Sequence, residues 1–217
     1  MSYAMTHLAI AKEVNDAINI ATDLPQFFMG AIAPDSVHFR ENYHSDMKKK
    51  AHYCPNPKPW GNISNADECD EWLDCLMPKL RASKGQTHSD FYWGCLIHIL
   101  SDIWNTRENF IHYSDWCNRE NIPEDAYINE QKHNDLIMFK TVPWKDEMWM
   151  YLSEAQGESV DNIIKANEVE KFRDYVFKMC KEEILESGYS KVFRTPDDNC
   201  MFIKNSAYKI SNLLKDS

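Results

Sequence analysis

Glycine and proline are scarce in this chain, with six and nine among 217 residues, so it has little of the turn material that a many-stranded β fold requires. Long apolar runs are also missing. No window reaches the 18 or more apolar residues of a membrane span, and the start, Met1-Ser2-Tyr3-Ala4-Met5-Thr6-His7, has no basic stretch leading into an apolar core. The expected location is therefore cytoplasmic. The seven cysteines (54, 69, 75, 95, 117, 180, 200) are odd in number and form no Cys-x-x-Cys pair, which signals neither a disulfide framework nor a thiolate zinc knuckle. Reduced, mostly buried thiols are expected. Basic residues are outnumbered, 24 against 34 acidic, and the formal net charge of -10 repels long polyanions, so no long nucleic acid is expected as a partner. The one basic run, Lys48-Lys49-Lys50, reads as a solvated loop. A Walker loop, a Gly-x-Ser-x-Gly elbow and a dinucleotide fingerprint are all absent.

What is present can fill a core: 43% of residues are hydrophobic and 12% aromatic. Ala, Leu, Ile, Met, Lys and Glu dominate long stretches, which predicts an all-α fold, and no linker or repeat divides residues 1–217 into more than one domain. Thr6 reads as an N-cap for a helix to about residue 20, with His7, Ile10, Ala11, Val14 and Ile18 on its apolar face. A shorter helix starts at Pro25 and stops at Pro34, with Asp35 just beyond. Pro55, Pro57, Pro59 and Gly61 mark 38–64 as a long loop whose Phe39, Tyr43, Tyr53 and Trp60 can cover a site. Further helices are predicted at 67–82, kinked at Pro78, then at 89–105, 124–141, 143–153, 159–187 and 196–214, with Gly157 and Gly188 as breaks.

The chemistry concentrates in Phe91-Tyr92-Trp93-Gly94-Cys95-Leu96-Ile97-His98-Ile99-Leu100-Ser101-Asp102-Ile103-Trp104, where His98 and Asp102 fall four residues apart on one helix face. The spacing alone is weak evidence, because eight histidines and 34 acids in 217 residues give about one such pair by chance. The apolar surroundings carry more weight. A carboxylate among Leu96, Ile97, Ile99, Leu100 and Ile103 is costly unless it is paired or bound to metal. The residues by themselves leave two readings open, a structural His–Asp hydrogen bond and a metal site.

Four segments in order, Thr6-His7-Leu8-Ala9-Ile10-Ala11, Phe28-Met29-Gly30-Ala31-Ile32-Ala33-Pro34-Asp35, Lys50-Ala51-His52-Tyr53 and Gly94 to Asp102, resemble the metal-binding motifs of the zinc-dependent phospholipase C family. The resemblance covers residues from about 5 to 105. It implies a multi-helix bundle of the phospholipase C and single-strand nuclease type, with one to three zinc ions. By the same resemblance Asp35, His52, His98 and Asp102 hold one zinc, Asp102 bridges to a second that His7 also binds, and Asp35 orients or deprotonates the attacking water. The family's N-terminal Trp ligand and its His-x-x-x-Glu pair have no counterpart here, which leaves His112, Glu130, His133 and Asp135 as substitute ligands for a further ion. The implied activity is metal-dependent hydrolysis of a small phosphoester or phospholipid head group. The alternative is a non-catalytic helical binding or scaffold protein that keeps the fold and a structural metal.

Overall fold

The structure, a computed structural model, describes residues 4–84, 89–123, 125–182 and 193–216. Within them the all-α expectation holds, the only β feature being an isolated bridge between Val160 and Ile164. The helices are α1 (Ala4–Ile18), α2 (Leu24–Gly30), α3 (Ser45–Ala51), α4 (Ala66–Lys84), α5 (Asp90–Asn105), α6 (Ile111–Glu120), α7 (Asp125–Thr141), α8 (Lys145–Glu154), α9 (Ala166–Glu182) and α10 (Pro196–Asp216). No helix among the described residues is long and apolar enough to cross a membrane.

Helix α5 is the axis of the molecule. Only Asp90, Tyr92, Trp93 and Trp104 of its residues escape full burial, as expected for a helix that is apolar all round and enclosed by others. It packs against α1, α2, α4 and α10. Its crossing with α2 is a backbone contact. A Cβ on Gly30 would stand 1.9 Å from the Phe91 carbonyl oxygen, and one on Gly94 would stand 2.0 Å from that of Phe27. Only glycine fits either position, and the approach brings the carbonyl of Ala31 against α5. One apolar cluster unites residues of α1 to α5 and α7 to α10, while Tyr113, Cys117, Ala126 and Tyr127 form a small second cluster between α6 and α7.

Several boundaries differ from the sequence reading. Thr6 is not an N-cap but lies inside α1, whose first turn is held from another helix: Asp135 on α7 accepts from the Met5 and Thr6 amides at 2.6 and 3.0 Å and from the Thr6 hydroxyl at 2.7 Å. Pro34 does not end structure; it opens a 3-10 helix, Ala33–Phe39, in which Asp35 is an internal residue. The stretch 38–64 is not one loop, because its proline-free portion includes α3, which leaves irregular chain at 40–44 and, around the three prolines, at 52–65. Helix α4 runs through Pro78.

Beyond Asn105 the helix continues through a π-helical turn, Thr106–Phe110, into α6, which periodicity had not marked; Asn121, in the left-handed conformation at φ 54°, ends it. Helix α9 begins later than predicted, at Ala166, since Asp161 and Asn162 at φ 51° and 56° turn the chain before it. Its predicted end at 183–187, and the break at Gly188, lie outside the described residues. All seven cysteines are free, and Cys69, Cys95, Cys117 and Cys180 are buried.

Candidate metal centre

Three elements deliver the centre. The 3-10 helix brings Asp35, the C-terminal end of α3 brings His52, and α5 brings His98 and Asp102 one turn apart. Asp35 is nearly buried and the other three wholly so. His52 is the C-cap of α3, and Tyr53 at φ 50° turns the chain away immediately after it. Each of the four residues offers one ligand atom, and these atoms all lie within 4.8 Å of one another. Among the described residues this is the only such group of three or more His, Cys, Asp or Glu. Helix α1 adds His7, whose Nε2 stands 3.6 Å from Asp102 Oδ1 and whose ring stacks on His98 at 3.7 Å.

The hydrogen bonds fix the tautomers. His98 Nδ1 is 2.7 Å from the carbonyl of Ala31, and His52 Nδ1 is 2.9 Å from the carbonyl of Lys48. A carbonyl only accepts, so both Nδ1 atoms carry the proton and both Nε2 atoms present lone pairs. His7 Nδ1 lies 2.6 Å from the Ser101 hydroxyl, which itself donates to the His98 carbonyl at 2.7 Å, so His7 too has a bare Nε2. Metal-binding histidines are commonly held in this way, with the distal ring nitrogen donating to a backbone or side-chain oxygen.

The inward atoms form an arrangement that could hold a cation. His52 Nε2 and His98 Nε2, both acceptors, face each other at 3.2 Å. Asp35 Oδ1 and Asp102 Oδ2 each lie 3.4 Å from His52 Nε2, and 3.8 and 3.9 Å from His98 Nε2. Zinc bonds of 2.0 to 2.1 Å in tetrahedral directions would separate neighbouring ligand atoms by about 3.3 Å, which these distances bracket. His7 Nε2 and both oxygens of Asp102 are buried without a hydrogen bond, and Asp35 Oδ1 pairs with the Lys48 ammonium at 2.6 Å. Orphaned buried acceptors are costly, and a cation held by Asp102 and its neighbours would answer them.

Electrostatics keep the donors in metal-binding form. Burial, reinforced by the neighbouring His7, pushes His98 down to about 3, and burial also lowers His7, so both rings are neutral near pH 7. Burial drives Asp35 and Asp102 upward but is outweighed, at Asp35 by the Lys48 ammonium first and at Asp102 by the imidazoles, His7 foremost, so both carboxyls sit below their ordinary value.

The site therefore brings together the five positions carried by the resemblance, His7, Asp35, His52, His98 and Asp102, and not the four substitutes. Asp135 is occupied at the start of α1. Glu130 accepts from the amides of Phe193 and Arg194 at 2.7 and 2.9 Å, and His112 is exposed on α6. His133, half-buried on α7, belongs to no cluster of ligand atoms among the described residues. The aromatic cover is also narrower than expected. Trp60 packs on His52 at 4.6 Å and Tyr43 on His38 at 4.5 Å, whereas Phe39 turns to Phe172 and Tyr175 of α9 and the Tyr53 hydroxyl donates to Asp161.

Three contributors escaped the sequence reading. Ser101 and Trp72, which donates to the His52 carbonyl at 2.7 Å, act through tertiary contacts that no spacing reveals. Lys48 is buried, not solvated, with Nζ 2.6 Å from Asp35 Oδ1; its place one turn before His52 on α3 was a usable signal. A cavity of about 780 Å³ is walled in part by Trp60, which packs on His52, Trp72, which donates to the His52 carbonyl, and Tyr127, but by none of the four ligand residues. No family model, curated protein or solved structure matches the chain.

Proposed function

We propose that the chain is a zinc-dependent hydrolase of small phosphoesters, resembling phospholipase C in the plan of its site and in a multi-helix bundle of that type. The observation that carries this reading is the convergence of the bare His52 Nε2 and His98 Nε2 with Asp35 Oδ1 and Asp102 Oδ2 at spacings that suit one zinc ion. His52, His98 and Asp102 would hold the ion, and Asp102, whose second oxygen faces His7, would be shared with a second one if two bind. When bound, zinc lowers the pKa of a coordinated water to about 7 and polarises a phosphoryl oxygen. Asp35 is the least buried of the four, with 13% of its side chain exposed, so it is the carboxylate placed to orient the attacking water and accept its proton.

Substrate size follows from charge and shape. The net charge of -10 disfavours long polyanions, and the cavity behind Trp60 and Trp72, with Asn56 on its wall, would suit the organic part of a small ester.

One observation favours a second reading, a binding or scaffold protein with a structural metal. Four protein ligands in a closed setting are the pattern of structural zinc, and His52, His98 and Asp102 are all sealed from solvent. The deciding experiment has two parts. Elemental analysis after zinc reconstitution is expected to give at least one equivalent per chain, and a panel of small phosphodiesters, phosphomonoesters and phospholipids is expected to show turnover with zinc that chelator abolishes. Full metal occupancy with no turnover leaves the structural-metal reading; less than half an equivalent of metal removes both.

A further inference from the structure

We propose that Lys48 is the resident counter-cation of the centre: its ammonium holds Asp35 when no metal is bound and yields that oxygen to an incoming divalent ion. This rests on the metal reading above. Lys48 Nζ stands 2.6 Å from Asp35 Oδ1, the same oxygen that lies 3.4 and 3.8 Å from the bare Nε2 atoms of His52 and His98. One carboxylate oxygen is thus both the partner of a fixed ammonium and a corner of the ligand cage. Lysine is rarely sealed from water, yet Lys48 is 1% exposed.

The ammonium has somewhere to remain after it gives up Asp35. His38 Nε2 lies 3.2 Å from Nζ, and the Trp60 ring faces it at 5.2 Å from the centroid. The same residue also orients a ligand, since its carbonyl accepts the His52 Nδ1 proton. A divalent ion at the cage would stand within a few ångströms of the ammonium, in surroundings with little water to screen them, so the lysine opposes metal entry while it stabilises the metal-free fold.

These two effects have opposite signs, which separates a competing cation from a lysine that merely supports the site. The test uses the full chain stripped by chelator and titrated with zinc against a chromophoric chelator, together with thermal melts with and without zinc. In Lys48→Met the zinc dissociation constant is expected to fall at least tenfold, the metal-free melting temperature to drop, and the gap to wild type to narrow at saturating zinc. Lys48→Gln keeps an N–H for Asp35 and gives the same readout should the Met variant not fold without metal. Wild type that binds zinc beside a folded variant of equal or weaker affinity overturns this inference and leaves the metal reading standing. No zinc binding by wild type or either variant overturns both.

Discussion

Asp102 and Asp135 are both fully buried carboxylates that touch helix α1, and they are held in opposite ways. Asp135 receives three hydrogen bonds, from the Met5 amide, the Thr6 amide and the Thr6 hydroxyl, at the positive end of α1. Asp102 receives none, and the nearest polar atoms to its oxygens are lone-pair nitrogens of His7, His52 and His98. Burial is common to both, so burial cannot mark function. What marks it is an unanswered acceptor: the carboxylate supplied with donors anchors a helix, and the one surrounded by other acceptors is arranged for a cation.

The largest expected effect inverts the ranking of the two. In chelator-treated protein Asp135→Asn should cost about 1–3 kcal/mol, because the new NH2 must face a backbone or hydroxyl donor of α1, while Asp102→Asn should cost less, its NH2 facing lone-pair nitrogens. With zinc at a thousandfold excess over its dissociation constant wild type should gain about 4 kcal/mol, Asp135→Asn should keep that gain, and Asp102→Asn should lose most of it. Denaturant melts with and without zinc measure all of this, and an Asp102→Asn variant with the full zinc gain would break the contrast. Next in size, Gly94→Ala should destabilise by about 1–3 kcal/mol through its clash with Phe27 and should weaken zinc binding, because the α2 backbone carries the Ala31 carbonyl that orients His98. Equal affinity in the Ala variant would show that this carbonyl is not needed.

The last effect is in pH, and in wild type it is small because two buried groups oppose one another. His98 sits at about 3 when folded and 6.5 when unfolded, so between those values the unfolded chain carries a proton that the folded chain refuses, and stability falls as pH drops through that window. Asp135, raised by burial from 3.8 to about 7 despite its donors, does the reverse: the folded chain keeps a proton that the unfolded chain releases, so its contribution rises as pH drops from 7 toward 4. Each proton is worth about 1.4 kcal/mol per pH unit. Metal-free His98→Gln should therefore show a flatter acid limb of stability against pH and Asp135→Asn a steeper one, as read from denaturant midpoints between pH 4 and 6.5.

The sequence was informative where period and spacing carry the information. Helices α1, α5, α7, α8 and α10 stand close to their predicted positions because each has a sustained apolar face or clear punctuation. It misled where local signals compete. The cluster of prolines at 55, 57 and 59 concealed the short helix α3, and with it the burial of Lys48 and His52. Helix α6 follows α5 through a π-helical turn without a break, so no punctuation announced it. The substitutes Glu130, His133 and Asp135 shared a helix in the sequence, but two of them answer backbone amides elsewhere, and a shared helix cannot reveal a partner 63 or 130 residues away.

By itself the sequence determined the helical class, the i, i+4 pairing of His98 with Asp102, and the identity of the residues able to bind a metal, because these follow from composition and from the 3.6-residue period. Only the tertiary structure decided which of those residues meet. The touching backbones at Gly30 and Gly94, the turn at Tyr53 and the carbonyls of Ala31 and Lys48 bring two Nε2 atoms and two carboxylates together, with His7 against Asp102 beside them, while Asp135 is spent on α1 and Lys48 is drawn inside. The physical reason is range: periodicity records what lies one turn away, and the centre is made by contacts between chain segments tens of residues apart, set by packing.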